Sequence, residues 1–128
     1  MDRQVVKVGS FYGAVGPYSH AIKAGSFLFV SGQAALDSQT GKLAEGDVSR
    51  QAELTLRNLS RILEEAGSNL NRVVKVTVYL RSMEDYAAMN SVYRKFWPSD
   101  PPARTTVQVS GLPLDSLVEM DAIALLAD

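Results

Sequence analysis

The sequence predicts an α+β fold in which two helices cover one face of a β-sheet. Two stretches, residues 47–66 and 82–97, repeat apolar residues at helical spacing. Five shorter stretches have the alternation or the β-branched content of strands, and the order is strand, strand, helix, strand, helix, strand, strand. Because two amphipathic helices can cover only one face of such a sheet, the other face is expected to be open.

The first two predicted strands differ in their expected place within the sheet. Residues 4–8 alternate weakly and predict an edge strand, and residues 9–21 have the glycine and proline of a loop. Residues 26–33 carry apolar side chains on both faces, which is typical of a central strand. Gly32, near the end of that strand, lets another group approach the backbone closely.

Capping residues mark the limits of the predicted helices. The first begins after its N-terminal cap Asp47 and ends at Gly67, and the second opens in a variant capping box at Ser82. Asn90 lies on the apolar side of the second helix, where a buried amide must be hydrogen-bonded. Asn90 is therefore expected either to hold a neighbouring loop in place or to face a ligand.

Residues 73–80 form the clearest strand of the sequence. Alternation directs one set of side chains towards the helices: Val74, Val76, Val78 and Leu80. It directs the other set to the open face: Val73, Lys75, Thr77 and Tyr79. The last strand, residues 117–126, adds Leu117, Glu119, Asp121, Ile123 and Leu125 to that face. A mixed, uncovered face of this kind indicates oligomerisation.

Arg104 opens a strand over residues 104–109, directly after two prolines that disfavour helix. Thr106 and Gln108 share its face, so this face is polar and carries a permanent cation. The fork of a guanidinium suits a carboxylate, which it can hold by two parallel hydrogen bonds. The alternative for Arg104 is an ordinary surface arginine at a strand end.

The carboxylate of Glu119 is the second candidate group, with a rim charge or an ion-pair partner as the alternative. If the last two strands form a simple hairpin, Glu119 pairs near Val107 or Gln108, several residues along from Arg104. Tyr18 lies in a distant loop, where such a ring is commonly a packing residue. Because a small ligand could not span these positions within one chain, we expect the site to be assembled from two chains.

Composition narrows the classes of function. The 128 residues predict one domain over residues 1–128, and 13 basic against 14 acidic residues show no basic footprint for nucleic acid. There is no cysteine and a single histidine, which excludes disulfides, thiolate chemistry and a histidine-based metal site within one chain. No apolar run reaches membrane-spanning length and no signal peptide is recognisable, so a cytoplasmic protein is expected.

An ordered set of short motifs resembles the Rid family, the reactive intermediate deaminases, also called the YjgF or endoribonuclease L-PSP family. The resemblance covers nearly the whole chain. It rests on Gly16-Pro17-Tyr18-Ser19, Ser31-Gly32-Gln33, Thr40-Gly41, Gln51, Asn58-Leu59, Met89-Asn90-Ser91-Val92-Tyr93, Pro102-Ala103-Arg104, Leu112-Pro113 and Glu119. Each motif alone is weakly specific, whereas the set in this order is strongly so.

The resemblance implies a chorismate-mutase-like α+β fold and a homotrimer whose sheets form an inner barrel, with a ligand cleft between subunits. It also implies hydrolysis of 2-imino or enamine acids, such as 2-aminoacrylate, 2-iminopropanoate and 2-iminobutanoate, to 2-keto acids and ammonia. Neither cofactor nor metal is implied. In this resemblance Arg104 binds the substrate carboxylate, Glu119 holds or activates the attacking water, and Tyr18 lines the cleft as a third catalytic-site residue.

Four further binding residues follow from the same resemblance: Asn90, Ser31, Gly32 and Thr106. The sequence departs from the common family pattern at His20, Thr106 and Trp97, where glutamine, cysteine and phenylalanine are usual. Phe11 and Tyr12 are bulky for the loop that leads into Tyr18, which leaves the size of the pocket open. His20 stands beside that tyrosine, where it could alter substrate preference.

Two other functions remain open from the sequence. The same residues could form a non-catalytic protein that binds 2-keto acids, and some relatives are described as endoribonucleases or translation inhibitors. The net charge of −1 and the single His20 weigh against a nucleic-acid partner. The expected partners are therefore a small 2-imino or 2-keto acid and further copies of the chain.

Overall fold

The computed structural model describes residues 2–11 and 16–127, and its centre is a six-stranded mixed sheet with two helices packed on one face. The strands are β1 (Arg3–Val6), β2 (Ala21–Ala24), β3 (Phe27–Gln33), β4 (Val73–Leu80), β5 (Ala103–Gln108) and β6 (Val118–Leu125). Their order across the sheet is β1-β2-β3-β6-β4-β5. Only β4 and β5 pair in parallel; the other neighbours are antiparallel. The predicted α+β class is confirmed.

Both predicted helices are present. Helix α1 (Val48–Glu65) begins where the carboxylate of Asp47 accepts a hydrogen bond from the backbone N–H of Arg50 at 3.0 Å. Beyond its last turn Gly67 has a φ of 89°, which glycine adopts without steric cost. Helix α2 (Tyr86–Phe96) starts later than predicted, because the capping box at Ser82 opens a 3₁₀ turn over Met83–Asp85 instead.

The sequence interpretation missed strand β2. Residues 9–21 were predicted as a loop, yet Ala21–Ala24 pairs with both β1 and β3. This strand has only four residues, which is too short for alternation to stand out. It forms a hairpin with β3 through Gly25, whose φ of 61° permits the tight turn.

Strand β4 corrects one prediction of side-chain direction. Val74 was expected towards the helices and Val73 on the open face, but Val73 is buried and Val74 is 39% exposed. The register against β6 shifts between Val73 and Lys75, so a β-bulge reverses the alternation at this point. From Val76 onwards the predicted pattern is confirmed, with Val76, Val78 and Leu80 fully buried.

The core lies between the helices and one face of the sheet, where Leu28, Leu56, Leu59, Met89 and Met120 are fully buried. In the described part of the chain no helix packs on the opposite face, as predicted. It carries partly exposed apolar side chains at Val5, Phe27, Phe29, Val107 and Leu125. Polar pairs lie among them, and the Tyr79 hydroxyl donates to the carboxylate of Asp121 at 2.8 Å.

Candidate functional site

Arg104 points from edge strand β5 towards helix α2. Its register partner on β4 is the buried Val76, which fixes its side chain on the helix-covered face. The guanidinium carbon lies 4.7 Å from the ring centroid of Tyr93 and 5.6 Å from that of Tyr86. Nη2 donates to the Tyr86 hydroxyl at 3.2 Å, and Nη1 approaches the Met89 sulfur at 3.9 Å. Helix α2 therefore holds this cation in one orientation.

Three buried polar atoms on the helix-covered side have no hydrogen-bond partner among the described residues, and two of them belong to residues that line the Arg104 cavity. They are Asn90 Oδ1, Tyr93 Oη and Thr106 Oγ1. Buried polar atoms are almost always hydrogen-bonded, so a cluster of unpartnered ones is suited to a polar ligand. Burial raises the pKa of Tyr93 to about 12, against the opposing effect of the Arg104 charge. Tyr93 is therefore a neutral hydrogen-bonding group at neutral pH.

The Arg104 cavity has a volume of about 290 Å³ and opens beside the end of α2. Trp97 forms one wall, and its indole N–H donates to the Leu70 carbonyl at 2.8 Å, which holds the ring in place. Pro102 forms part of the wall that leads into β5. Trp97 is buried, in agreement with a packing role.

Glu119 lies on the open face of the sheet, opposite Tyr79 of β4. Burial, followed by the nearby charge of Asp121, raises the pKa of Glu119 above its ordinary value. Gly32 of β3 makes room for this carboxylate, since a Cβ built on Gly32 would lie 2.8 Å from Glu119 Cδ and closer still to one carboxylate oxygen. The predicted close approach at Gly32 is thus to a side chain.

The loop carrying Tyr18 is fixed to β3 beside Glu119. Ser31 donates twice to this loop, from its backbone N–H to the His20 carbonyl at 2.9 Å and from its hydroxyl to the Ser19 carbonyl at 2.6 Å. The rings of Tyr18 and His20 meet edge to face at 6.4 Å. Tyr18 is 46% exposed and lines a cavity of about 400 Å³ together with His20 and Glu119.

The site residues predicted from the sequence therefore divide into two groups. Arg104, Asn90 and Thr106 lie on the helix-covered side at the β5 edge. The second group, Tyr18, Ser31, Gly32 and Glu119, lines a pocket of about 310 Å³ that shares Tyr18, Gly32 and Glu119 with the 400 Å³ cavity. The prediction that the last two strands form a hairpin, with Glu119 paired near Val107 or Gln108, is wrong. Strand β4 lies between β5 and β6 and places Glu119 opposite Tyr79.

Sequence reasoning overlooked two side chains that contact the Arg104 guanidinium. Tyr86 and Tyr93 belong to the residues 82–97 whose apolar spacing predicts the second helix, and both of their rings face the guanidinium. The available signal was the pair of tyrosines two turns apart on a helix next to a strand that begins with arginine. Hydrogen bonding from Asn90 and the charge of Arg104 lower the pKa of Tyr86.

The structure also bears on metal binding, on membrane-spanning helices and on the loop before Tyr18. Within residues 2–11 and 16–127, no group of three or more His, Asp or Glu side chains is placed to bind a metal ion. No helix in that part of the chain is long and apolar enough to cross a membrane. Phe11 packs edge to face on His20 with ring centroids 5.6 Å apart, whereas Tyr12 lies outside the described residues.

The geometry defines an α+β domain with cavities on two sides of one sheet. The family model described as Endoribonuclease L-PSP matches residues 9–126, and the chain belongs to this family, the Rid family of the motifs above. A RutC family protein of Pyrococcus abyssi is 48% identical over 97% of this chain and 98% of its own. A Mus musculus protein named 2-iminobutanoate/2-iminopropanoate deaminase is 40% identical, over 95% of this chain and 90% of its own.

A solved structure gives the same fold. Escherichia coli TdcF, crystallised with bound serine, superposes with a TM-score of 0.89 at 35% identity, and the match covers 97% of this chain and 99% of that one. The mixed sheet with two helices on one face is therefore the fold of this family.

Proposed function

We propose that the protein is a cofactor-independent deaminase that hydrolyses 2-imino acids, such as 2-iminopropanoate and 2-iminobutanoate, to 2-keto acids and ammonia. The observation that carries this proposal is the pair of complementary cavities. One offers a rigid cation among unpartnered polar atoms, and the other offers a carboxylate of raised pKa in an accessible pocket. The name of the mouse relative supports the same reaction. A cytoplasmic location belongs to the same proposal.

Arg104 is the proposed carboxylate-binding group. It has five N–H donors, of which one is engaged by the Tyr86 hydroxyl and another approaches the Met89 sulfur. The remaining donors leave a fork for the substrate carboxylate. Packing of the guanidinium on Tyr93 limits its motion, so less conformational entropy is lost when the substrate binds.

Glu119 is the proposed general base. Its carboxylate takes a proton from water as the water oxygen attacks C2 of the protonated imine, giving a tetrahedral amino alcohol. Return of that proton to nitrogen lets ammonia leave as the C–N bond breaks, and Glu119 takes the hydroxyl proton and passes it to ammonia, so one water is consumed and the 2-keto acid and ammonium are released. A raised pKa makes the carboxylate a stronger base, and a positioned general base contributes about 100- to 10,000-fold to the rate.

The complete site is proposed to form between subunits of a homotrimer. Arg104 and Glu119 point to opposite faces of the sheet, so one small imino acid cannot touch both groups of the same chain. Contact of the open face with neighbouring copies would cover Phe27 and Phe29, each 43% exposed, and bring the two cavities together across the interface.

The test is ammonia release from freshly generated 2-aminoacrylate by wild type, Arg104→Ala and Arg104→Lys. We expect both variants to lose at least about tenfold in kcat/KM, because a hydrogen bond to a charged group contributes about 1.5–3 kcal/mol and lysine cannot reproduce the fork. Near wild-type activity of Arg104→Lys would contradict bidentate capture. Binding of a 2-keto acid without turnover by wild type would favour a binding protein.

The name of the family, Endoribonuclease L-PSP, also suggests ribonuclease activity. RNA cleavage that falls steeply with salt, in the absence of imine turnover, would replace the proposed function with that one.

A further inference from the structure

We propose that Leu114 forms one wall of an apolar subsite beside Glu119 that selects 2-imino acids with bulky apolar side chains. This inference rests on the proposed function, and it assigns a substrate class within it. The cavity next to Glu119 has a volume of about 400 Å³, which lies in the range of about 300–1,000 Å³ typical of sites for medium-sized ligands. The methyl group of 2-iminopropanoate would fill little of it.

The composition of the walls points to an apolar ligand group. Its apolar lining comes from Ala34, Leu36, Pro113 and Leu114, and its polar lining besides Glu119 comes from Tyr18, His20, Gln33 and Ser116. Neither Lys nor Arg is among the described residues that line it, and Glu119 repels a second carboxylate. A hydrocarbon side chain is therefore favoured over an acidic one at this position.

Leu114 has a backbone conformation that folding alone does not explain. Its φ is 59° and its ψ is 22°, and the next residue, Asp115, has a φ of 58°. The left-handed region is costly for any residue with a Cβ, and leucine has no polar side-chain atom with which to offset that cost locally. The side chain is 59% exposed, so burial in the core does not repay the strain either. Contact with a ligand supplies a reason for leucine here.

The loop that carries Leu114 is held by a hydrogen bond within the loop and by one from Arg81. The Ser116 hydroxyl donates to the Pro113 carbonyl at 2.8 Å, and Arg81 Nη1 donates to the Asp115 carbonyl at 3.2 Å. The facing wall is fixed as well, because Asn58 Nδ2 donates to the carbonyls of Ala34 and Leu36 at 3.1 and 2.8 Å. The subsite is therefore preformed, and removal of the Leu114 side chain leaves these hydrogen bonds in place.

The test compares two substrates in wild type and Leu114→Gly. The imines of leucine and of alanine are generated in situ by an amino-acid oxidase, and kcat/KM is measured for each. We expect wild type to prefer the leucine-derived imine and Leu114→Gly to reduce that preference about tenfold or more, in line with the selectivity of apolar pockets. The same substitution should raise or preserve the melting temperature, because glycine adopts the left-handed conformation without strain. A side chain needed only for folding would have the opposite effect on stability.

Asp115→Gly is the matched control, because it relieves the neighbouring left-handed residue and keeps the leucine. It should preserve the substrate preference. An unchanged preference in Leu114→Gly, or an equal change in Asp115→Gly, would overturn the subsite.

A binding readout keeps this outcome separate from failure of the proposed function. The affinities of 4-methyl-2-oxopentanoate and pyruvate, which are stable 2-keto acids, are measured by calorimetry in the same three proteins. If wild type hydrolyses no imine, the proposed reaction fails, while the ratio of these affinities still supports or refutes the apolar subsite. If wild type hydrolyses the imines, and Leu114→Gly changes neither the ratio of the two kcat/KM values nor the ratio of the two affinities, only the apolar subsite is refuted.

Discussion

Gly32 leaves space for the Glu119 carboxylate, which a β-carbon at this position would clash with. We expect Gly32→Ala to displace Glu119 and reduce kcat about 10- to 100-fold, because a misplacement near 1 Å can cost about two orders of magnitude. Gly111→Ala is the matched control, since nothing lies within 4 Å of a Cβ built there. Steady-state kinetics and melting curves of both variants provide the measurement, and equal kcat values would contradict the role of Gly32.

Substitution of Glu119 should lower turnover and leave ligand affinity nearly unchanged. Glu119→Gln keeps the size of the side chain and removes the base, so we expect a fall in kcat of about 100- to 10,000-fold. The affinity for a stable 2-keto acid, measured by calorimetry, should change little because Arg104 supplies the carboxylate contact. Parallel losses of kcat and of affinity would instead assign Glu119 to binding.

The raised pKa of Glu119 also has a consequence for stability. Burial makes the folded state bind the proton of this group more tightly than the unfolded state does, so ionisation of Glu119 disfavours folding. Above the raised pKa, where the carboxylate is ionised in both states, Glu119→Gln should therefore have a higher melting temperature than wild type. The difference should shrink as the pH falls through the raised pKa and vanish below the ordinary value of 4.5. A difference that persists at lower pH would have another origin.

Helix α1 links both walls of the Glu119 cavity to the core. Gln51, buried on α1, accepts a hydrogen bond from the backbone N–H of Leu117 at 2.9 Å, just before β6. Gln51→Leu leaves that N–H unpaired, and we expect a loss of about 1–3 kcal/mol in the free energy of unfolding together with reduced turnover. Denaturant titration at one fixed protein concentration and kinetics provide the measurements.

The N-terminal cap of the same helix offers the control. Asp47→Ala should cost about 1 kcal/mol through the lost bond to Arg50 N–H without touching the cavity. If the two variants lose stability equally and both keep full activity, the link from α1 to the site is refuted.

At the scale of secondary structure, periodic features could be predicted from the sequence and short or irregular ones could not. The apolar period of α1 and the polar face of β5 repeat over several residues, and both are present in the structure. Strand β2 has too few residues to show a period, and the bulge near Val74 arises from pairing with β6. A local pattern contains no information about such a partner.

The whole assembly decides whether Arg104 and Glu119 can act on one substrate. Arg104→Ala and Glu119→Gln are each expected to be inactive, so they are unfolded together, refolded at equal amounts and assayed. A site that takes Arg104 from one chain and Glu119 from its neighbour is intact at about one interface in four after random mixing, and about that share of activity should return. Mass spectrometry of the mixed trimers is the control for assembly. Absence of recovery in confirmed mixed trimers would place both groups in one chain.

The open face of the sheet sets the expected oligomeric state. Val5, Val107 and Leu125 are each more than a third exposed and lie on the same face as Phe27 and Phe29. Sedimentation equilibrium should therefore give a mass near three chains. A monomer at micromolar concentration would contradict both the trimer and the shared site.

The sequence by itself determined the α+β class, the two helices, the uncovered face and the motifs that identify the family. These features depend on residue type and on spacing within one segment, which can be read without knowledge of distant contacts. Only the tertiary structure decided that β6 inserts between β3 and β4 and that β5 runs parallel to β4. That arrangement depends on pairing between segments remote in the chain, for which spacing gives no rule. It places Arg104 and Glu119 on opposite faces of the sheet, and it thereby separates the two halves of the candidate site.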